Sequence, residues 1–302
     1  MRTKYTSLPI AACVAILIFS ASTNSHAQNL FVTENGLTTD ILEITPDGTV
    51  TTFVPSLPGP EGIAFNSSGD LFAAYSSYGV AEITPDGTVT TFSTALNGPR
   101  AVAFDSAGNL YVASYYNGSI LEFAPNGNTS YFAYTLSNPY GIAFNSSGDL
   151  FATGQGFNTI SEITPDGTVT TFASGLHAPY ALAFNSSNDL FMTSQSNGTI
   201  SEITPGGTVT TFASGLSDPV GLAFNSAGDL FVANQGNGTI SKFTNNDGTL
   251  STTPTTFASG LDGPIFLAFQ PAPVPEPPTL ALAGLGVFAG LLFFHRRKHS
   301  KA

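Results

Sequence analysis

The sequence predicts an all-β fold, a six-bladed β-propeller, bracketed by two apolar address segments. Three observations carry this reading. The motif Asp/Asn-Leu-Phe/Tyr returns at Asn29, Asp70, Asn109, Asp149, Asp189 and Asp229 of the 302 residues, and a fixed period of about 40 residues marks a repeat architecture. Each unit reads as four short strands rich in β-branched and aromatic residues with Gly, Asn, Ser and Pro between them, the pattern of a propeller blade. Glycine (31) and proline (20) are frequent, which argues for many turns and against long helices.

The unit that begins at Gly141 shows each element in order. GIAF (Gly141 to Phe144) is strand a, and the turn NSSG follows. DLFAT (Asp149 to Thr153) is strand b. The loop GQGFN leads to strand c, TISEIT, and the turn PDG leads to strand d, TVTTF. Strand a alternates small with large (Gly62, Ala64; Gly141, Ala143; Ala181, Ala183; Gly221, Ala223), as the crowding of innermost strands at an axis requires. Strand d is mostly threonine, which suits an outer strand half in water. Residues 161–176 and 201–216 repeat almost letter for letter, with Gly206 where the first copy has Asp166. The repeated stretch is strand c, a proline-led turn and strand d, so it is scaffold, and function is to be sought where the copies differ.

The ends of the array predict closure. The first unit starts at Asn29 with strands b, c and d. The last strand, IFLAF (Ile265 to Phe269), is a strand a with nothing after it. Together they complete one blade, so the body, residues 28–270, is expected to close by pairing its C-terminal strand with the first blade. Closure hides an otherwise open edge, and the polar caps of an open solenoid are not seen.

Beyond the body lie the two addresses. Arg2 and Lys4, the apolar run from Ile10 to Phe19 and the small-x-small site Ser25-His26-Ala27 make residues 1–27 a secretory signal peptide cut after Ala27. The run is short for a membrane span of about 20 residues. At the other end a proline-rich linker, residues 271–278, leads into an apolar helix, residues 279–294, and then a cluster of basic residues. Sixteen residues reach about 24 Å as a helix, slightly short of a hydrocarbon core of about 30 Å, and the basic tail would hold that end in the cytoplasm. Residues 274–298 closely resemble the PEP-CTERM sorting signal of Gram-negative bacteria: Val274, Pro275, Glu276, Pro277, an apolar helix, then Arg296, Arg297 and Lys298. Such tails also go by the label of an ice-binding protein C-terminal domain, which implies no ice binding here. The resemblance implies export, transient anchoring in the inner membrane, processing by an exosortase-type enzyme, and delivery to the cell surface or an extracellular polysaccharide matrix. A plain single-span anchor is the alternative.

Composition excludes several function classes. Only 9% of residues are charged and the net charge is −12. Between residues 29 and 270 the basic residues are Arg100 and Lys242 alone, so the body has no face for nucleic acid and none for anionic lipid. The one cysteine, Cys13, falls in the signal peptide, which leaves the body no disulfide, thiolate nucleophile or cysteine metal site.

The units resemble the NHL and streptogramin-lyase-like group of six-bladed propellers. The residues that carry the likeness are Pro60-Glu61-Gly62-Ile63-Ala64, Ile83-Thr84-Pro85-Asp86-Gly87 and Leu30-Phe31-Val32-Thr33-Glu34, the one strand b that keeps the glutamate. In such folds the d-to-a and b-to-c loops open on one face around the axis, where ligands usually bind. The residues that vary there are Glu61, Arg100, Tyr140, Tyr180, Val220 and Ile265 after the proline of strand a. In the b-to-c loops they are Glu34, Tyr75, Tyr115, Gln155, Gln195 and Gln235. Two carboxylates, Glu34 and Glu61, suit a hard cation such as Ca²⁺ or Mg²⁺ or an acid and base; equally, Arg100 pairs with Glu61 at a loop rim. His177, the only histidine of the body, is the one candidate base for a lyase-like elimination. The resemblance also admits a lactonase-type metal enzyme of the gluconolactonase kind. The Asn-x-Ser/Thr triplets are turn residues rather than glycan acceptors. Two functions stand side by side: a non-catalytic binding or matrix-associated module whose partner is an extracellular polysaccharide or surface protein, and a divalent-metal lyase or lactonase.

Overall fold

Six four-stranded antiparallel sheets, each in the order a-b-c-d, surround a central axis. The structure, a computed structural model, describes residues 28–76 and 79–271. The signal peptide with Ala27, and the sorting motif and apolar helix between residues 274 and 298, lie outside the described residues. Blade four consists of Pro139–Phe144, Leu150–Gly154, Thr159–Ile163 and Val169–Ala173. The predicted strands are all present, with strand a starting two residues earlier than its sequence pattern suggests. The a strands of neighbouring blades touch all the way round the ring, and the d strands expose two to four of their residues to water.

The seam closes as the sequence implies. Pro264–Phe269 pairs antiparallel with Leu30–Glu34, with Leu30 opposite Phe269, Phe31 opposite Ala268 and Val32 opposite Leu267. The Gln270 amide donates to the Asn29 carbonyl at 3.0 Å. Gln28 joins both sides of the seam: its Nε2 donates to the Gln270 carbonyl at 2.9 Å, and its Oε1 accepts from the Ser226 amide of blade six at 2.8 Å.

An aromatic triad repeats at every blade boundary. An aromatic of strand b meets one of strand d in its own blade and one of strand a in the next, as in Phe151 with Phe172 and Phe184, at 4.9 and 5.0 Å and nearly perpendicular. Across the seam Phe231 meets Phe257 and Phe269 at 4.9 and 5.0 Å, so the last strand packs as any next blade would. Each such edge-to-face pair contributes about 0.5–1.5 kcal/mol beyond its buried area.

Near the axis the small residues of strand a have a steric cause. A Cβ on Gly141 would lie 2.4 Å from the Tyr180 carbonyl oxygen, and one on Gly221 would lie 2.1 Å from that of Ile265. Backbone of the next blade fills the space a side chain would need.

The turns absorb the remaining sequence signals. In the a-to-b turn of blade two, Asn66 Oδ1 accepts from the amides of Ser68 and Asp70, both at 2.9 Å, and its Nδ2 donates to Asp70. Asn145 and Asn185 do the same, so these triplet asparagines are committed to turns. Blade six departs from the pattern: a short hairpin, Asn245–Asn246 with Thr249–Leu250, is inserted between its strands c and d. It is held down by Asn245, whose amide donates to Asp229 at 2.8 Å.

Candidate functional site

Strand a of every blade carries an irregularity just after its proline. In blade four Pro139 faces Gly154 while Ile142 faces Ala152, so one extra residue is accommodated, and the other blades repeat this. A bulge of this kind re-aims the side chain that follows the proline. The threonines Thr153 and Thr193 of strand b support it. Thr153 Oγ1 accepts from the Gly141 amide at 2.8 Å and donates to the Tyr180 carbonyl of the next blade at 2.9 Å.

The six re-aimed side chains divide the axis into two halves. Val220 and Ile265 make one half apolar and buried. Glu61, Arg100, Tyr140 and Tyr180, from four consecutive blades, form a polar cluster on the other. Arg100 Nη1 pairs with Glu61 Oε1. The Tyr140 hydroxyl donates to Glu61 Oε2 at 3.0 Å and is itself in contact with the Tyr180 hydroxyl. The Arg100 guanidinium sits between two rings, 5.2 Å from Tyr115 and 5.3 Å from Tyr140, a cation–π arrangement, and its Nε is buried without a hydrogen-bond partner. Phe266 stacks on Tyr140 at 5.9 Å, with the rings 10° from parallel. Below the cluster the axial space is about 70 Å³ and is lined by residues such as Gly62, Ala101, Gly141 and Ala181, far under the roughly 300–1,000 Å³ of ligand clefts.

Burial sets the electrostatics here. It pushes the Glu61 carboxyl above its ordinary value, and Arg100 and the Tyr140 hydroxyl pull it only part of the way back. For Arg100, desolvation is the largest single influence and acts downward, but Glu61 together with Tyr140, Tyr180 and Tyr116 outweighs it and holds the guanidinium above its ordinary value. Burial raises the Tyr140 hydroxyl well above its ordinary value and the Tyr180 hydroxyl to about 12. Both phenols are therefore neutral donors at physiological pH.

The sequence-predicted residues separate into two groups. Glu61, Arg100, Tyr140 and Tyr180 come together. Glu34 and His177 have other surroundings. Glu34 is buried, accepting from the Asp262 amide at 2.6 Å on Oε1 and from the Thr38 hydroxyl at 3.0 Å on Oε2; both of its oxygens serve loop donors. His177 is exposed on the loop between blades four and five. The donor set does not fit a divalent cation: both Glu61 oxygens are taken by a cation and a phenol, and among the described residues no group of three His, Cys, Asp or Glu side chains could hold a metal. The other basic residue of the body is also paired, Lys242 Nζ with Asp229 at 2.8 Å.

Tyr115, one of the variable b-to-c loop residues, joins the cluster, under Arg100 and edge-on to Tyr140 at 6.2 Å. One participant escaped the sequence reading. Phe266 had a visible signal, since it is the one large residue at a strand a position that elsewhere holds Gly62, Ala101, Gly141, Ala181 and Gly221.

A closed six-bladed propeller with a polar cluster at one end of its axis is the class that fold and site define. The virginiamycin B lyase family model matches residues 56–259, more than half of the chain, and the chain belongs to that family. The PEP-CTERM protein-sorting motif matches residues 273–298; it signals export and surface sorting in Gram-negative bacteria, with processing by an exosortase-type enzyme. No curated protein matches the chain. Among solved structures, a catalytically inactive histidine-to-alanine variant of virginiamycin B lyase from Staphylococcus aureus with quinupristin is similar at 22% identity and TM-score 0.58, covering 80% of this chain and 82% of that one. A chain of a nidogen/laminin complex is similar at 16% identity and TM-score 0.70, covering 81% and 98%. A putative gluconolactonase is similar at 15% identity and TM-score 0.60, covering 72% and 82%. At these identities the likeness is one of fold.

Proposed function

We propose that the protein is an exported, surface-sorted propeller that works by binding and carries out no catalysis. The apolar segment, residues 279–294, holds the chain in the inner membrane until an exosortase cuts near Val274–Pro277, and the body is delivered to the outer surface or its polysaccharide matrix. The observation that carries the reading is the closure of the axial cluster on itself. Glu61 holds Arg100 on one oxygen and Tyr140 on the other, so a guanidinium and a phenol occupy the carboxylate where a metal would bind or a substrate proton would be taken. His177, the one histidine of the body, is exposed and lies outside that cluster.

Family membership favours a second reading, a lyase acting on the central face. A structural relative loses catalysis when a histidine becomes alanine and was solved with quinupristin, so His177 and quinupristin are the residue and compound to test. Full-length protein in detergent is incubated with quinupristin and the mixture followed by liquid chromatography. The binding reading expects the compound to be recovered unchanged. Conversion that disappears in His177→Ala would establish the lyase.

A further inference from the structure

Outside the axial cluster and the blade-six hairpin, the exposed aromatics that depart from the repeat gather in blades three and four. At the second position of the b-to-c loop, blades one, five and six carry Gly36, Ser196 and Gly236, whereas blade three carries Tyr116. At the third position, blades five and six carry Asn197 and Asn237, whereas blade four carries Phe157. In the d-to-a loop, blades four, five and six read Ala-Ser-Gly-Leu, whereas blade three reads Ala133-Tyr134-Thr135-Leu136. The new aromatics do not enter the core: Tyr116 is 61% exposed and Phe157 74% exposed.

Tyr116, Phe157, Thr135 and Leu136 line a shallow groove, wide open to solvent and about 350 Å³ in volume, on the face that also carries the axial cluster. Its inner wall is Tyr115, whose ring meets Tyr116 edge-on at 5.2 Å and Tyr140 on its axial side. Its polar lining is uncharged, with Asn117, Ser137 and Asn138. Asn117 Oδ1 accepts from Asn97 Nδ2 at 2.6 Å, which leaves the Asn117 NH₂ free to donate. The groove is also kept at a conformational cost. Thr135 has φ 63° at a loop position that is left-handed in every other blade too, held by Ser56 (57°) and Ala95 (64°) in blades one and two and by Gly175, Gly215 and Gly260 (71°, 79° and 79°) in blades four, five and six, and it is the one β-branched residue there. A β-branched residue in the left-handed region is an outlier, and such outliers gather at ligand clamps.

We propose that this groove binds a neutral polysaccharide chain. A pyranose ring has an apolar C–H face that lies against a tyrosine or phenylalanine ring, and a rim of hydroxyls that both donate to and accept from amides and hydroxyls. Exposed flat rings beside uncharged amides match both halves of that chemistry, as a cleft with a few placed polar groups should. An acidic glycan is disfavoured, because the lining offers no cation and the protein carries a net charge of −12. The sorting signal sends the chain to the surface, where such polymers are met. The inference rests on the binding reading above and adds the class of ligand and the place where it sits.

Affinity electrophoresis of the full-length protein in detergent tests it, with dextran, laminarin or galactomannan cast in the gel and alginate as the acidic comparison. At least one neutral glycan should retard the protein. The double substitution Tyr116→Ala and Phe157→Ala should weaken retardation at least tenfold with no change in melting temperature, since both rings are exposed. Leu37→Ala, which removes a still more exposed apolar side chain at 99% from the b-to-c loop of blade one, should leave retardation unchanged. Retardation by none of the neutral glycans, by alginate alone, or undiminished in the double variant overturns the proposal. Loss in Glu61→Gln with retention in the double variant would place the ligand at the axis, overturning the groove and leaving the binding reading intact. Shortening of the glycan during incubation would overturn the binding reading itself.

Discussion

Ending the chain after Gly263 removes strand a of blade one and should unfold the whole ring. The strand contributes Ile265, Phe266 and Leu267, which are 1%, 8% and 7% exposed. Burying a side chain of this size is worth about 1.5–3 kcal/mol, so the three together account for roughly 5–9 kcal/mol. A domain of this kind has about 5–15 kcal/mol of stability in all. The truncation also strips the ladder from Leu30–Glu34 and unpairs Phe231 from Phe269. A chain ending after Pro271 keeps every one of these contacts and is the proper comparison, since it too lacks the tail. Urea unfolding followed by far-ultraviolet circular dichroism is the assay. The longer chain should show one cooperative transition, and the shorter one should show either none or a broad transition at much lower urea. If the chain ending at residue 263 unfolds with the same midpoint and slope as the longer one, the closed ring is not the unit of stability and the reasoning fails.

Three further outcomes follow from the same geometry. Gly141→Ala should destabilise by about 1–3 kcal/mol, read as a fall in the urea midpoint, because the new Cβ would meet the Tyr180 carbonyl oxygen at 2.4 Å. Gly206→Asp should raise the melting point slightly: in the matching turn Asp166 accepts from the Thr164 hydroxyl and, at 3.2 Å, from the Thr168 amide, and an unchanged melting point would show that these exposed bonds contribute nothing. Spectrophotometric titration should find Tyr140 and Tyr180 still protonated after ordinary tyrosines have ionised. With folded values raised, up to about 12 for Tyr180, the folded state keeps protons that the unfolded chain releases. The stability they confer is therefore complete below about pH 10 and lost as pH rises through the folded values. Tyr180→Phe should lessen that alkaline loss.

The fold was legible because it is written six times. Period, strand content and the missing strand at each end follow from counting, and each blade meets the same neighbours, so local pattern and tertiary packing agree. The position of the site was legible too, as the residue after the strand a proline, where copies differ. Its pairings were not. Glu61 and Tyr140 are 79 residues apart, and their contact depends on how tightly the ring closes and on a bulge that re-aims both side chains. Neither is visible in a 40-residue pattern. The expectation for Glu34 drew on a motif likeness in the first strand, whereas its carboxylate serves Thr38 and the Asp262 amide. The Asp262 amide stands 228 residues further along the chain and adjoins Glu34 only through closure. The hairpin of blade six was hidden in a polar stretch, NNDGTLSTT, that lengthens one turn without disturbing the strands on either side.

The central claim is that the Glu61 carboxylate is engaged by Arg100 and Tyr140 and that the axial cluster has no place for a metal. Calorimetric titration of the full-length protein with Ca²⁺ and with Mg²⁺, paired with melting curves at saturating ion, tests it most directly. The account predicts no one-to-one heat and no shift in melting temperature, where an ion held at a hundred times its Kd would add about 2.7 kcal/mol of stability. Stoichiometric uptake of either ion, abolished by Glu61→Gln, would contradict it and turn the axis back into a candidate active site.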